Sequence, residues 1–274
     1  MFNDRQIDQY LRRINFTGEL NVDVDTLDEL TYRHQCTVPF ETIGVHRRGK
    51  EPRLALDVIF EKAIIRELGG YCFELNKLFE HLLVSVGFKA RPALSRAVRG
   101  RDGRMPINHR GIIVTIDGRD YSADVGFGGP MPAGCLLLEN GVEQTVRGEI
   151  YIPSKNDRGW WNIDRVTRAQ LDNYDDGVPE RRQTELDLCD AHVEDIDFDA
   201  LNLFFSQPGT LFRDHEIVNL RTEHGYAGYK DGVLTTRSAG VKTEKTLSNK
   251  TDQDEALFRY FGLKNIDRAV EEGF

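Results

Sequence analysis

Three turn dipeptides, each between two strand-forming runs, constrain the fold of this chain most strongly. Asp-Gly and Asn-Gly pairs favour the type I′ turn, because its twist matches the twist of two paired strands. The sequence therefore predicts antiparallel β-hairpins in the middle of the chain and again near its end. The turns and their flanking runs are Asp117-Gly118 between 110–116 and 119–125, Asn140-Gly141 between 136–139 and 142–146, and Asp231-Gly232 between 226–230 and 233–237.

The first third of the chain has a helical periodicity instead. Residues 4–14 form an amphipathic stretch, Thr26 is expected to cap a second helix, and Asp57 is expected to cap a third. The clearest helix follows Cys72 and stops at Gly87. Its apolar stripe consists of Leu75, Leu78, Phe79, Leu82, Leu83 and Val86.

This order of elements predicts an α+β protein with three domains. Residues 1–88 form an N-terminal helical bundle, 89–200 a central antiparallel β-barrel-like domain, and 201–274 a C-terminal mixed α/β lid. The lid is expected to end in a helix over 252–261. The acidic segment 185–199 matches no calcium-loop spacing and is interpreted as a solvated connection.

The composition excludes several classes of function. The formal net charge of the 274 residues is −9 at pH 7, whereas nucleic-acid binding favours a basic surface. No apolar run reaches the roughly 20 residues of a membrane span, and residues 1–16 lack the apolar core of a secretory signal. We therefore expect a cytoplasmic protein with neither a nucleic-acid nor a membrane partner.

Cys72 is the cysteine whose position predicts reactivity. It follows two glycines, which allow a tight turn, and it begins the clearest helix. A helix N-terminus stabilises a thiolate, and its free N–H groups can bind an oxyanion. The four cysteines include no CxxC pair, so neither a disulfide nor a metal site is expected. The other three are expected to pack as small apolar residues: Cys36, Cys135 and Cys189.

A thiolate nucleophile needs a base and a group that orients the base, and the first hairpin supplies both. If Asp117-Gly118 is a two-residue turn, Ile116 pairs with Arg119 and Gly111 with Asp124. His109 then lies on the same face as Gly111 and is the diagonal neighbour of Asp124, within side-chain reach. An acidic residue among strand formers needs such a partner. The sequence thus predicts a Cys72–His109–Asp124 triad in a cysteine-protease-like arrangement.

The motifs around these residues resemble those of the arylamine N-acetyltransferases. His109 follows Cys72 by 37 positions and Asp124 follows His109 by 15, as in that family. The longest motif, GGYCFELN, is too long to be a chance pattern. The matching segments, which span nearly the whole chain, are 38–41, 69–76, 109–110, 124–128, 219–225 and 260–263.

The resemblance implies a ping-pong acetyl transfer. Cys72 would take the acetyl group of acetyl-CoA and pass it to the nitrogen of an arylamine or arylhydrazine, while His109 moves the protons and Asp124 orients His109. The acceptor pocket of the family maps to Phe40, Tyr71, Phe127 and Phe212, for which core packing is the alternative interpretation. The loop 96–105 would lie near CoA, where Arg101 or Arg104 could contact its phosphates, although a solvated hairpin tip is equally compatible with the sequence.

Two positions depart from the family pattern. The family usually has an arginine before the two glycines, paired with the glutamate that corresponds to Glu41, and this chain has Leu68. Arg66 is the expected substitute partner. Asn108 also replaces the usual threonine before the histidine, so acceptor preference or the seating of CoA is expected to differ.

Other functions remain compatible with the same residues. One alternative is an amide synthase on the same scaffold, which would take its acyl group from a carrier-bound intermediate. A cysteine hydrolase or a transglutaminase would use the same triad. A non-catalytic module that binds aryl ligands or CoA would follow if the Leu68 replacement had disabled the Cys72 loop.

Overall fold

The computed structural model describes residues 1–101, 105–129, 131–167, 181–238 and 241–274. The helices of the first part of the chain are α1 (Asp4–Arg13), α2 (Val24–Thr37), α3 (Ile43–Arg48), α4 (Leu56–Phe60) and α5 (Cys72–Ser85). A π-helical turn, Glu61–Ile65, continues α4. Among the described residues, no helix combines the length and apolar character of a membrane span.

The ends of these helices agree only in part with the predicted caps. The helix after Cys72 is confirmed, and it stops just before Gly87. The Thr26 cap was wrong: Asp23 caps α2, because its carboxylate accepts the N–H of Thr26 at 2.8 Å. The Asp57 cap was also wrong, since α4 begins one residue before Asp57.

The largest sheet has eight antiparallel strands in the order β5-β4-β3-β2-β9-β8-β7-β6. It surrounds a core of its own, and helix α5 packs on strands β2 and β3. The predicted α+β class with an antiparallel barrel-like sheet is therefore confirmed. The strands are β2 (Lys89–Ala97), β3 (His109–Ile116), β4 (Arg119–Ser122), β5 (Leu136–Leu137), β6 (Gln144–Val146), β7 (Glu149–Lys155), β8 (Trp161–Thr167) and β9 (Arg181–Cys189).

A second antiparallel sheet has the order β1-β10-β11-β12-β13. Its first strand comes from the N-terminal part of the chain, and the rest from the C-terminal part. The division into three domains stays a prediction. The strands are β1 (Phe40–Glu41), β10 (Ile217–Thr222), β11 (Gly225–Lys230), β12 (Val233–Ser238) and β13 (Val241–Thr246), and the helices near them are α6 (Asp199–Phe205), α7 (Leu211–Asp214), α8 (Lys250–Phe261) and α9 (Ile266–Glu271).

Two of the three predicted hairpins are confirmed. Asp117-Gly118 joins β3 to β4 with both residues at positive φ, and Ile116 pairs with Arg119 as expected. Asp231-Gly232 joins β11 to β12 in the same way. The Asn140-Gly141 hairpin was wrong. Arg147-Gly148, with φ of 46° and 86°, makes the turn between β6 and β7, while β5 pairs with β4.

The interpretation of the acidic segment 185–199 as a solvated connection holds for only part of it, where Asp190, Glu194, Asp197 and Asp199 are exposed. The first part of the segment belongs to β9, where Glu185 is buried. Asp195 begins a 3₁₀ turn, Asp195–Phe198, and accepts hydrogen bonds from Arg110. The predicted C-terminal helix is confirmed as α8, which ends at Gly262 with a left-handed conformation.

Candidate active site

The loop before α5 is held against β1 by close backbone packing. Glu41 N donates to Gly70 O at 2.8 Å, and Gly70 N donates to Pro39 O at 3.2 Å. A Cβ atom on Gly69 would lie 2.2 Å from Pro39 O. The sequence indicated glycines that turn the chain tightly, but neither has a positive φ. The first glycine is required because the backbones approach so closely.

Cys72 is the first residue of α5, as predicted. Its side chain is buried, with 1% of the residue exposed, and Sγ lies 4.0 Å from the carbonyl oxygen of Asn108. The positive end of the α5 dipole therefore acts directly on the sulfur. Tyr71 N donates to the Glu74 carboxylate at 3.1 Å, which fixes the first turn of the helix.

His109 and Asp124 meet, although Asp124 lies beyond the last ladder pair of β4. His109 Nε2 lies 2.5 Å from Asp124 Oδ2, and both side chains are buried. The Cys72 side chain lies near enough to the imidazole to raise its pKa. Because Nε2 faces Asp124, Nδ1 is the ring nitrogen left for the sulfur. The structure thus brings the three predicted residues together in one row, in which His109 and Asp124 share a hydrogen bond.

The charge state of His109 follows from this row. Burial alone lowers the pKa of the imidazole, but the Asp124 carboxylate and the Cys72 side chain offset it and raise the pKa to about 10. At neutral pH His109 is therefore an imidazolium.

Asn76 completes the row and was not singled out from the sequence. Its Nδ2 donates to Asp124 Oδ1 at 2.9 Å, and its Oδ1 accepts the N–H of Val125 at 2.8 Å. Gly126 N donates to the same carboxylate at 2.8 Å. The helical spacing could have revealed Asn76, because it follows Cys72 by four positions and shares its face of α5.

Glycines let the loop after Asp124 lie across the nucleophile. A Cβ on Gly126 would lie 2.9 Å from the Cα of Cys72. Gly128 has a φ of 65°, and a Cβ there would meet the Phe40 ring at 2.5 Å. Any larger residue at either position would push the loop away from Cys72.

Lys62 is the partner of Glu41, so the expected Arg66 pairing was wrong. Lys62 Nζ lies 2.7 Å from Glu41 and 3.0 Å from Glu74, and all three side chains are buried. Burial raises the pKa of both carboxyls, but Lys62 and two backbone N–H groups bring the pKa of Glu41 below its usual value. For Glu74 burial prevails, and its pKa is raised. One lysine therefore links β1 to the first turn of α5.

Arg66 and Leu68 have other roles. Arg66 lies on the surface, where it pairs with Glu61 and Glu272. Leu68 is buried in the apolar cluster of the C-terminal part, among residues such as Leu263. The lysine comes from the π-helical turn, six positions earlier than the arginine of the family pattern. Nothing local in the sequence identifies it.

The four predicted acceptor residues fall into two groups. Phe212 lies across Phe40 and Tyr71, with ring centroids 5.8 and 5.7 Å apart, so these three rings form one cluster. Phe127 is separate from that cluster. Its ring meets the imidazole of His109 edge-on at 5.6 Å, and it belongs to the core of the barrel-like sheet.

A cleft of about 710 Å³ lies between the two sheets and reaches Phe40 and Val125, beside the triad. Its walls are rich in arginine. Arg101 lines it, as the sequence suggested, whereas Arg104 lies outside the described residues. Arg96 stacks instead on the Trp160 ring at 3.7 Å. The other arginines lining the cleft from the side of the barrel-like sheet are Arg99, Arg165 and Arg181.

The C-terminal sheet contributes a row of polar residues to the same cleft. Arg221, Tyr226, Arg237 and Lys242 are direct cross-strand partners on β10 to β13. Arg221 pairs with the buried Glu149, but the buried Nε of Arg237 has no hydrogen-bond partner among the residues described. Cations placed directly opposite each other repel. An anion in the cleft would relieve that repulsion.

Comparisons with known proteins identify the class of protein to which the chain belongs. A family model described as N-acetyltransferase matches residues 23–269. Arylamine N-acetyltransferase of Escherichia coli is 37% identical over 153 residues, 55% of this chain and 54% of that protein. Arylamine N-acetyltransferase 1 of Bos taurus is 28% identical over 277 residues, 95% and 92% of the two chains. Proansamycin X synthase of Amycolatopsis mediterranei is 33% identical over 140 residues, 50% and 54%.

Solved structures of arylamine N-acetyltransferases have the same fold as this chain. Arylamine N-acetyltransferase from Salmonella typhimurium superposes with a TM-score of 0.86 at 23% identity, over 100% of both chains. The Mycobacterium marinum enzyme in complex with CoA gives 0.85 at 23%, over 97% of both. At these sequence identities, the superpositions show that the fold is shared. Together with the match to the family model, they identify the chain as an acyltransferase. The motif resemblance is confirmed, and the chain belongs to the N-acetyltransferase family.

Proposed function

We propose that this enzyme transfers an acetyl group from acetyl-CoA to the nitrogen of arylamines or arylhydrazines through an acetyl-Cys72 thioester. The observation that supports this most is the row of Cys72, His109 and Asp124 at the start of α5. A thiolate–imidazolium pair is ready to attack a thioester without a further base. Because acceptor and donor would use the same sulfur, the two half-reactions alternate.

In the first half-reaction, the Cys72 thiolate attacks the carbonyl carbon of the thioester. Helix geometry leaves the N–H groups of Cys72 and Phe73 without intrahelical acceptors, so they are placed to bind the oxyanion. Collapse of the tetrahedral intermediate breaks the bond to the sulfur of CoA. His109 gives its proton to that sulfur, and CoA leaves as the thiol.

In the second half-reaction, His109 is a neutral base beside the acetylated cysteine. The acceptor nitrogen attacks the acetyl carbonyl, and His109 takes the proton that the nitrogen loses. Cys72 leaves as the thiolate and restores the ion pair with the imidazolium. Asp124 keeps its carboxylate toward Nε2 throughout, so Nδ1 always faces the reacting atoms.

The arginine-rich cleft suits a CoA thioester. The donor carries phosphates, which guanidinium groups bind with paired hydrogen bonds. Arg101 and Arg237 would contact the phosphates, while the cleft end at Phe40 and Val125 directs the thioester to Cys72. A similar protein from M. marinum has been solved with CoA. The contribution of Arg104 stays a prediction, as does the cytoplasmic location.

The three-ring cluster suits an aromatic acceptor. Tyr71 directly precedes Cys72, and its ring forms an apolar, edge-to-face cluster with the rings of Phe40 and Phe212. Aromatic rings prefer such tilted or offset partners. Phe127 would act differently, because it contacts the imidazole and so restricts where the acceptor nitrogen can approach His109.

The test is to incubate the protein with acetyl-CoA and no acceptor, then locate the adduct by peptide mass. We expect a thioester on Cys72 that an arylamine discharges. Cys72→Ala should lose it, while the matched variant Cys189→Ala should keep it, because Cys189 lies away from the triad on β9. His109→Ala should keep the fold and lose rapid alkylation of Cys72 near neutral pH. Acetylation elsewhere, or none, would contradict the proposal.

A second candidate is an amide synthase that uses the same triad. The similarity to proansamycin X synthase favours it, since the identity over half the chain approaches that of the acetyltransferases. Such an enzyme would accept an acyl group from a larger donor. The two candidates differ in one measurement: a synthase should show slow or no labelling of Cys72 by acetyl-CoA, although the cysteine remains reactive toward iodoacetamide.

A further inference from the structure

We propose that Asn202 is a positioning residue that fixes the aromatic wall of the acceptor pocket. The wall belongs to a segment that we call the strap, residues 195–214, which contains the 3₁₀ turn, α6 and α7. The proposal rests on the proposed function, because it assigns Asn202 to the acceptor half-reaction. It adds a residue that touches neither the triad nor the reacting atoms.

The strap covers the start of α5 with aromatic side chains. Phe198 and Phe205 pack on Phe73, with ring centroids 6.2 and 6.3 Å apart. Phe212, near the end of the strap, packs on Tyr71. The residues on both sides of Cys72 therefore lie under strap residues. The geometric preference of an aromatic pair is worth only about 0.5–1.5 kcal/mol, so ring packing by itself tolerates small shifts of the strap.

Asn202 adds two directional hydrogen bonds to this packing. It is buried, and its Oδ1 accepts the hydroxyl proton of Tyr71. Its Nδ2 donates to Pro52 O at 2.9 Å. The carboxamide thus joins α6 to the residue before Cys72 and to the loop that precedes α4. Its partners are the buried Tyr71 hydroxyl and the backbone carbonyl of Pro52. Leaving either without a hydrogen bond would cost free energy.

A second anchor holds the beginning of the strap. Asp195 accepts a hydrogen bond from Arg110 at 2.7 Å and an ion pair from Lys77 at 2.9 Å. Arg110 is fully buried, and its guanidinium lies 4.6 Å from the ring centroid of Phe198. The strap is thereby fixed at Asp195, and near its other end Arg213 Nη1 donates to His46 O at 2.8 Å. Asn202 joins the middle of the strap, α6, to Tyr71.

The two half-reactions depend differently on this alignment. Among the residues that the structure describes, Cys72, His109 and Asp124 have no hydrogen bond to α6, so acylation by the donor should not need Asn202. The acceptor ring must lie among Tyr71, Phe212 and Phe40 to present its nitrogen to the thioester. A displaced wall loses contact area with the acceptor ring, so the ring binds less tightly. Loss of Asn202 should therefore affect the acceptor selectively.

The experiment compares Asn202→Leu with Gln207→Ala. Gln207 is exposed just after α6 and donates Nε2 to Leu203 O at 3.0 Å, so its loss removes a hydrogen bond from the same helix while Asn202 stays in place. We expect Asn202→Leu to raise the KM for an arylamine about five- to tenfold, as for one lost buried hydrogen bond. Single-turnover acetylation of Cys72 should stay within about twofold of wild type, and Gln207→Ala should change neither.

A double-mutant cycle with Tyr71→Phe identifies the contact. If Asn202 acts through the Tyr71 hydroxyl, the double variant should be no worse than Asn202→Leu alone. Additive losses would overturn the assignment. An equal loss in both half-reactions would also overturn it, because that result describes a general loss of structure. An unchanged acceptor KM in Asn202→Leu would do the same.

A measurement without turnover separates this proposal from the proposed function. Cys72 is alkylated with iodoacetanilide and with iodoacetamide, which share the reacting group and differ by an aryl ring. Asn202→Leu should lower the ratio of the two rates at least threefold, whereas Gln207→Ala should keep it. If wild-type Cys72 is never acetylated, the proposed function fails, and this ratio still decides the role of Asn202.

Discussion

Two histidines are equally buried in this protein, yet their surroundings shift their pKa values in opposite directions. His34, on α2, is 0% exposed, and His109, at the start of β3, is 2% exposed. Burial lowers the pKa of His34 to about 3, and Arg13 adds to the effect. Burial lowers the pKa of His109 as well, but Asp124 and Cys72 offset it and raise the pKa to about 10.

The partners explain the difference. His34 lies between the rings of Tyr10 and Phe79, with centroids 5.9 and 5.4 Å away, and neither ring nitrogen has a hydrogen-bond partner among the described residues. His109 has a carboxylate on one nitrogen and a thiol beside the other. A buried imidazole without a charged partner therefore stays neutral and packs like other ring side chains. It becomes a proton carrier when a buried anion stabilises its charge.

The largest expected effect comes from removing that anion. Asp124→Asn should make His109 resemble His34, because burial then acts on the imidazole with little opposition. We expect the pKa of His109 to fall below its ordinary value of about 6.5 and acetyl transfer to fall about 10³- to 10⁴-fold. Titration of the histidine ring signals by NMR measures the first, and steady-state rates measure the second.

The titration of His109 in the wild-type protein is the control, and the direction of its effect on stability with pH is defined. Because folding raises the pKa of His109, the stabilisation from its pair with Asp124 is complete below about pH 6.5 and is lost as the pH rises toward 10. Wild-type His109 should thus stay protonated at pH 8. A neutral His109 at that pH would show that Asp124 does not compensate for burial.

Lys62 extends the comparison from histidine to lysine. It too is a buried cation with carboxylate partners, and Lys62→Met would leave Glu41 and Glu74 buried without a cation. We expect a loss of about 3–5 kcal/mol in the free energy of unfolding, measured by urea denaturation. Lys62→Met combined with Glu41→Gln and Glu74→Gln should recover part of it, since no buried charge then remains.

Arg66→Met is the matched control for Lys62. It removes the cation that the sequence suggested for Glu41, but Arg66 lies at the surface with Glu61 and Glu272. Its unfolding midpoint should equal that of wild type. A large loss in Arg66→Met, together with a small one in Lys62→Met, would mean that the arginine supports the Cys72 loop after all.

These cases show which parts could be predicted. The His109–Asp124 contact followed from one local signal, the Asp117-Gly118 turn, because a two-residue turn fixes the register of every pair beyond it. The α5 stripe likewise depends on neighbours three and four positions apart. Turn dipeptides and helical spacings involve residues that are close together in the chain, so they can be recognised in the sequence itself.

The remaining contacts depend on distant parts of the chain. Lys62 meets Glu41 only because a π-helical turn, the loop before α5 and β1 converge, and no spacing in the sequence encodes that convergence. Asp195 reads as one more acidic residue in a charged run, although Arg110 and Lys77 hold it. The Asn140-Gly141 signal was overridden because β6 pairs with β7 instead of β5.

The smallest effect concerns His34 and acts on stability without touching chemistry. Folding holds His34 neutral, whereas the unfolded chain protonates it at about pH 6.5, so its contribution is absent above that pH and destabilises the fold as the pH falls toward 3. With the ordinary pKa of about 6.5, the penalty at pH 5 is about 2 kcal/mol. His34→Phe keeps a ring between Tyr10 and Phe79 and removes the titration.

We therefore expect His34→Phe to have the same unfolding free energy as wild type at pH 7.5 within about 1 kcal/mol and to be more stable than wild type at pH 5. Its acetyl-transfer rate at pH 7.5 should not change, since the ring nitrogens of His34 have no hydrogen-bond partner among the described residues. Urea denaturation at the two pH values measures the difference. Equal stability of the two proteins at pH 5 would mean that His34 finds a proton partner in the fold, and the contrast with His109 would then rest on Asp124 alone.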